Sequence, residues 1–301
     1  MPLLGAHQSI AGGLHRAFER GVRAGCEAVQ IFTRSSRQWA ARVISDDDVR
    51  AFHAAHAASG IRALLAHDCY LFNPASPDET LRRRSVAELA DELERCARLG
   101  IPYLVCHPGA HAGAGDAAGI RTAGRSFGEV LRACRGYPST IALENAAGQG
   151  TQIGWRFPDL AALVDATPDG DRLRVCIDTQ HAFAAGYDLR TARGYAAAIA
   201  ELDATVGVAR VVAFHLNDAK KGLGSRVDRH EHIGRGLLGT AAFRRLLHDR
   251  RFAGLPMCLE TPKGAHPDDA TDDVRNLAVL RRLLRRASPT RRPRVPAEDV
   301  A

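Results

Sequence analysis

Eight short runs rich in Val, Ile and Leu, each followed by a longer segment of helical period, constrain this chain more than any other feature. The runs are LLGA (3–6), AVQIF (28–32), IRALLAH (61–67), YLVCH (103–107), TIALE (140–144), RVCID (174–178), RVVAFHL (210–216) and MCLE (257–260). Helices are predicted to follow in turn. They start near Gly12 and after the cap-like Ser45-Asp46-Asp47-Asp48, span 77–99 up to Gly100 and cover 118–135. Later ones begin near Pro158 and span 190–204, 240–249 and 271–286. Regular strand–helix alternation implies parallel strands, because a helix must carry the chain back across the sheet each time. Eight units in 301 residues predict an α/β fold of a single (β/α)8 TIM barrel rather than a doubly wound sheet. There is no internal repeat and no interior linker, so the catalytic domain is expected over 1–286.

With 46% hydrophobic and 25% charged residues, the composition suits a globular enzyme with a sizeable core. The start, MPLLGAHQSIAGGL, lacks the basic head and apolar run of a signal peptide, and no stretch is long enough to span a membrane. A cytoplasmic monomer without membrane contact is expected. Seven scattered cysteines with no C-x-x-C pair read as small buried hydrophobes. Three charges of the net +7 belong to the last 17 residues, and the Arg- and Pro-rich segment 287–301 reads as a disordered tail. The remaining charge permits a polyanionic partner without specifying one.

The chemistry lies where the strands end. His67, His107, Glu144, Asp178 and Glu260 close five of the eight runs, and His215 lies near the end of another. His181, Asp228 and His230 fall in the loops just beyond. In a parallel barrel all the C-terminal strand ends converge on one face, where catalytic groups collect. A lone His after a strand is more often a satisfied polar residue, and a lone carboxylate there often caps the next helix. Nine such residues at one mouth are another matter, since clustered carboxylates and imidazoles are costly unless a cation neutralises them. Five histidines with four carboxylates and no thiolate suit Zn²⁺, Mn²⁺ or Fe²⁺ better than Mg²⁺ or Ca²⁺. Nine ligands exceed the needs of one ion, so two or three are implied with a bridging carboxylate. Closely spaced ions point to phosphodiester hydrolysis, with metal-dependent sugar isomerisation left open. In DRHEHIG (228–234), alternation puts Asp228, His230 and His232 on one side without saying which of them bind.

The motifs FTRSSRQW (32–39), AHDCYLFN (66–73), CHPGAH (106–111), LENAAGQG (143–150), CIDTQHAFAAGYD (176–188) and FHLNDAKKGLGSRVDRHEHIG (214–234) strongly resemble the endonuclease IV family of apurinic/apyrimidinic (AP) endonucleases, AP endonuclease family 2. The similarity runs from GAHQSIAGGL (5–14) to LETPK (259–263). It implies a (β/α)8 barrel with three Zn²⁺ per chain, Mn²⁺ being admissible at one site. By motif, His67 and His107 would hold one ion and Glu144 would bridge it to a second. Asp178, His215 and Glu260 would complete the second, and His181, Asp228 and His230 would hold the third, leaving His232 a neighbour.

The implied substrate is double-stranded DNA with abasic sites or blocked 3′ ends. The implied reaction cleaves 5′ to the lesion, leaving a 3′-hydroxyl and a 5′-deoxyribose phosphate. Glu144 would be the catalytic carboxylate, orienting the attacking hydroxide. Arg37, Tyr70 and Leu71 would enter the duplex and fill the gap left by the missing base, and RSSRQWAAR would supply the phosphate-binding patch. Gln180, in DTQH, departs from the small residue or Cys common in the family, beside His181. A sugar isomerase or epimerase on a related barrel is the competing reading.

Overall fold

The structure, a computed structural model, describes residues 1–285. The final residue of the last expected helix and the expected basic tail (287–301) lie outside the described residues. Eight parallel strands close into a barrel: β1 (Leu3–His7), β2 (Ala28–Phe32), β3 (Ala63–His67), β4 (Tyr103–Cys106), β5 (Thr140–Glu144), β6 (Arg174–Asp178), β7 (Val211–His215) and, after two short strands, β10 (Pro256–Leu259). They pair in chain order, and β10 closes the ring between β7 and β1. The predicted (β/α)8 barrel is therefore the observed one.

The helices are α1 (Arg16–Ala24), α2 (Asp46–Ser59), α3 (Glu79–Leu99), α4 (Asp116–Ala133), α5 (Phe157–Ala166), α6 (Thr179–Ala185), α7 (Ala192–Thr205), α8 (Thr240–His248) and α9 (Thr271–Leu284). Helix α2 starts where its acidic first turn predicts. The Ser45 hydroxyl accepts from the Asp48 N–H, and the Asp48 carboxylate accepts from the Ser45 N–H. Helix α3 ends on Gly100, whose φ of 67° is a left-handed conformation that glycine adopts without a Cβ penalty.

Alternation along each strand divides the core in two. Inside the barrel, Leu3, Leu65, Val105 and Val212 pack with the small Ala28, Ala142, Cys176 and Cys258. Outside, Leu4, Ile31, Leu104, Ile141 and Phe214 face the helices and meet Phe18, Leu93, Phe127, Phe243 and Leu277. Each large side chain so buried contributes about 1.5–3 kcal/mol. All seven cysteines are free and buried, as expected of small hydrophobes. The same alternation fixes what lies above the inner layer. Two residues beyond Leu65, Val105, Ala142, Cys176, Ala213 and Cys258 stand His67, His107, Glu144, Asp178, His215 and Glu260.

Two elements differ from expectation. Beyond β6, where one helix was predicted from 190, the short α6 intervenes at once. Asp178 caps it, its carboxylate accepting from the His181 N–H at 2.8 Å. The polar loop after β7 contains an antiparallel pair, β8 (Asp218–Ala219) and β9 (His230–Glu231), with Ala219 opposite His230. Both elements are too short to carry a periodic signal. A buried carboxylate specifies the second: Asp218 accepts from the N–H groups of Gly234, Leu238 and Gly239 at 2.8, 2.9 and 3.2 Å.

Candidate metal centre

Three groups of donors meet at the mouth. His67, His107 and Glu144 form the first; Glu144, Asp178, His215 and Glu260 the second; Asp178, His181 and His230 the third, the ligand atoms of each lying within 4.8 Å of one another. Glu144 is common to the first two. Its Oε2 lies 3.2 Å from His67 Nε2 and 3.6 Å from His107 Nε2, and its Oε1 lies 2.9 Å from His215 Nδ1. Asp178 is common to the second and third. Asp228 Oδ1 approaches the third group, 3.4 Å from His181 Nε2 and 3.2 Å from His230 Nε2.

The imidazoles are held from behind. His67, His181 and His230 each turn Nδ1 to a main-chain carbonyl, of Asp68, Asn145 and Glu260, at 2.9, 2.9 and 3.1 Å. Donation there leaves each Nε2 as a lone-pair donor facing the centre. His215 is reversed: its Nε2 meets Gln30 Oε1 at 2.8 Å and its Nδ1 faces the carboxylates.

The electrostatics ask for positive charge. Burial alone would raise the Glu144 carboxyl, yet His215, His107 and His181 hold it well below the usual range. Burial would lower His67, but Asp68 and Glu144 raise it well above its ordinary value. Asp178, Asp228 and Glu144 do the same to His181. His230, against burial, is drawn up to about 9 by Asp228 and Asp178. His107 goes the other way, lowered by burial, and its Nδ1 is buried with no hydrogen-bond partner. The carboxylates thus draw protons onto these imidazoles, and a divalent cation would supply that positive charge instead and leave the imidazoles neutral as ligands, so these residues fit one.

The comparisons with known proteins agree. Residues 18–283 match the family described as a xylose isomerase-like TIM barrel. The probable endonuclease 4 of Chloroflexus aggregans is 52% identical, the alignment covering 95% of this chain and 99% of that one. This chain belongs to the endonuclease IV family. A probable endonuclease 4 of Geobacter sulfurreducens is 48% identical over 96% of this chain. The crystal structure of endonuclease IV from Thermus thermophilus superposes with a TM-score of 0.81 at 39% identity, covering 94% of this chain and 99% of that one. A D-tagatose 3-epimerase-like protein, 18% identical with a TM-score of 0.70, shares the fold alone.

Around the endonuclease IV mouth, the loop after β2 carries Arg37 and the loop after β3 carries Tyr70 and Leu71. The Tyr70 N–H donates to the Ser36 carbonyl at 3.2 Å, so the two loops meet. Tyr70 is 59% exposed, and its ring centroid lies 5.8 Å from that of His67. Arg37 is exposed and Leu71 half-buried. A cleft of about 380 Å³ lies between this loop and the metal groups, lined by Tyr70, Leu71, His107, Gly109, Gln152 and Asp228.

One expectation needs correction. RSSRQWAAR does not act as a single basic patch, because Arg34 is buried and ion-paired with Glu88 at 2.5 Å. Its guanidinium also donates to the Trp39 carbonyl, so it builds the loop from beneath. His232 joins none of the three groups and receives a hydrogen bond from the Asn276 amide on α9 at 3.1 Å.

Sequence reasoning missed Gln30, Asn217, Asn145 and His7. The Gln30 amide donates to Glu260 at 2.6 Å while its oxygen meets His215. Asn217 donates to Asp178 Oδ2 at 2.6 Å and accepts from the Glu260 N–H. Asn145 accepts from the Asp178 N–H at 2.7 Å. His7 lies 3.7 Å from Glu260, its imidazole lowered by burial. His7 ends β1, and Asn145 and Asn217 lie just past β5 and β7, a positional signal that Gln30, in the middle of β2, does not share.

Proposed function

We propose that the chain is a zinc-dependent AP endonuclease of DNA repair. It cleaves the phosphodiester 5′ to an abasic site to give a 3′-hydroxyl and a 5′-deoxyribose phosphate, and it clears blocked 3′ ends. The observation that carries this reading is the sharing of carboxylates: Glu144 belongs to two donor groups and Asp178 to two, so three sites form one connected cluster. The family membership supplies the DNA substrate.

Three zinc ions are assigned, with Mn²⁺ admissible at one. His67, His107 and Glu144 would hold the first, Glu144, Asp178, His215 and Glu260 the second, and His181, Asp228 and His230 the third, with Asp178 also within reach of it. Such ions lower the pKa of water and stabilise charge on both the entering and leaving oxygens of an in-line phosphoryl displacement. Glu144, buried and acceptor-only, orients the attacking water. Gln30, Asn145 and Asn217 keep the donors in place. Arg37, Tyr70 and Leu71 enter the duplex and fill the gap left by the missing base, where unstacking costs least, and the Arg37 charge also contacts phosphate. We assign the catalytic unit to residues 1–286 of a cytoplasmic monomer.

A duplex carrying one abasic analogue unable to undergo β-elimination tests the reading, with zinc-loaded protein and no added Mg²⁺. Nicking on the 5′ side is expected, and an intact duplex refutes the proposal. The fold it shares with an epimerase-like protein makes sugar isomerisation the second reading. Bound metal near three per chain favours the nuclease, and one or two favour the isomerase.

A further inference from the structure

The third donor group is assembled from two segments that share no long strand. His181 comes from α6, whereas Asp228 lies in the excursion between β8 and β9 and His230 opens β9. Two glutamine side chains, one on α6 and one in the loop after β5, close on one peptide unit of that excursion. Gln180 Nε2 donates to the Val227 carbonyl at 2.9 Å. The Asp228 N–H donates to Gln149 Oε1 at 3.2 Å. That carbonyl and that N–H belong to the same planar group, so a bond at each edge fixes the plane from which Asp228 projects.

The surroundings are consistent with a segment held in place. Gln180 is fully buried, and among the described residues its Oε1 has no partner and its amide nitrogen bonds the Val227 carbonyl. Reversing the amide would set oxygen against oxygen. Just before the clamp, Arg226 has a φ of 54°, a left-handed conformation that non-glycine residues keep only when their neighbours enforce it. Here the Arg226 N–H donates to the Ala184 carbonyl at 3.0 Å, and its guanidinium lies 4.1 Å over the Trp155 ring. The Gly224 N–H donates to the Phe183 carbonyl at 3.1 Å. These two contacts hold residues 224–226 on α6, but neither reaches the ligand. Among the described residues, the two glutamines are the side chains that hydrogen-bond the Val227–Asp228 peptide.

We infer that Gln180 and Gln149 are positioning residues for Asp228, and that their hold on the Val227–Asp228 peptide sets how firmly the third ion is retained. The inference rests on the three-metal reading above. Partners that orient a ligand typically govern ten- to hundredfold in metal affinity.

The test reads metal. Zinc-loaded full-length protein is equilibrated against graded EDTA, and zinc per chain is measured for wild type, Gln180→Met, Gln149→Met, Gln149→Glu and Asp228→Asn. Asp228→Asn marks which equivalent belongs to the third group. Gln180→Met and Gln149→Met are expected to release that same equivalent at about tenfold lower EDTA. The other two equivalents and the thermal midpoint of the metal-free protein should not move. Gln149→Glu, which keeps an acceptor for the Asp228 N–H, should retain zinc as wild type does. Gln149 is exposed, so its variants leave the core intact even if Gln180→Met folds poorly. Wild-type retention of all three equivalents in both Met variants overturns the inference, as does a uniform weakening of all three. A wild-type protein that never holds three ions overturns the three-metal reading itself.

Discussion

Glu144 Oε2 lies 3.2 Å from His67 Nε2, although the strands that carry these residues are separated by β4 and the residues by 77 positions. The other oxygen of the same carboxylate faces His215. A carboxylate used on both edges cannot be replaced by an amide, which keeps one acceptor and turns two N–H donors toward a neighbour. Glu144→Gln should therefore lower single-turnover cleavage by about 10³-fold, the scale for removing a preorganised charged partner. Its affinity for abasic duplex should stay within about threefold, since Glu144 is buried and the proposed duplex contacts are made by Arg37, Tyr70 and Leu71. Band-shift titration alongside cleavage separates the two, and normal turnover would remove Glu144 from the mechanism.

Arg37 and Tyr70 should fail differently. Arg37→Ala removes a phosphate contact, so binding should weaken on intact and abasic duplex alike, and the slope of log K against log salt should fall by about one. Tyr70→Ala removes a ring that stacks, a contribution of about 1–3 kcal/mol per base, so it should erode the preference for abasic over intact duplex without changing that slope. Binding isotherms on both duplexes at several salt concentrations decide the matter. Equal losses for Tyr70→Ala on the two duplexes would show that the ring does not read the lesion.

Beneath the Arg37 loop, Glu92 is fully buried, accepting from the Thr33 hydroxyl at 2.5 Å. Burial raises its carboxyl to about 7 from an ordinary 4.5, against the pull of Thr33 and Arg34. The unfolded chain thus releases this proton at lower pH than the folded one. The stability contributed is fully present below about pH 4.5 and is lost as pH rises towards 7, an effect of about 3 kcal/mol at most. Wild type should lose stability relative to Glu92→Gln across that window, as measured by denaturant titration at each pH. A difference independent of pH would mean that Glu92 is already ionised.

Asp218 should be indispensable without touching the cluster. Its carboxylate is buried and accepts four main-chain N–H groups, of Ala219, Gly234, Leu238 and Gly239. Hydrogen bonds to a charged acceptor contribute about 1.5–3 kcal/mol each, and stranded buried donors cost a similar amount. Asp218→Ala should destabilise by about 3 kcal/mol or more and release the metal equivalent that includes His230. Denaturant unfolding and metal content check both halves.

The sequence made the ligands visible because a strand has a side-chain period of two and a barrel gathers its strand ends. His67, Glu144 and Asp178 sit one interior position beyond Leu65, Ala142 and Cys176, so finding the strands nearly located the donors. Asp228 and His230 were harder. Their excursion is organised by Asp218 and by a two-residue strand, neither of which leaves a periodic trace, and only the family motif placed them. The supporting amides were missed for a different reason. Neither Gln30 nor Asn217 carries a charge, so only its place past β7 could have marked Asn217, and nothing marked Gln30 in the middle of β2. Arg34 shows the converse error: its charge marked it for the surface, but Glu88 and the Trp39 carbonyl take it inside.

The closing of the sheet by β10 has a consequence for the life of the molecule. The donors run from His67 to Glu260, and the barrel is not a ring until β10 lies between β7 and β1. A chain still being synthesised can form β1 through β7 without Glu260 and without closure. The second donor group then lacks Glu260, although Glu144, Asp178 and His215 are present. The second donor group is thus complete only when the strand that closes the barrel is in place.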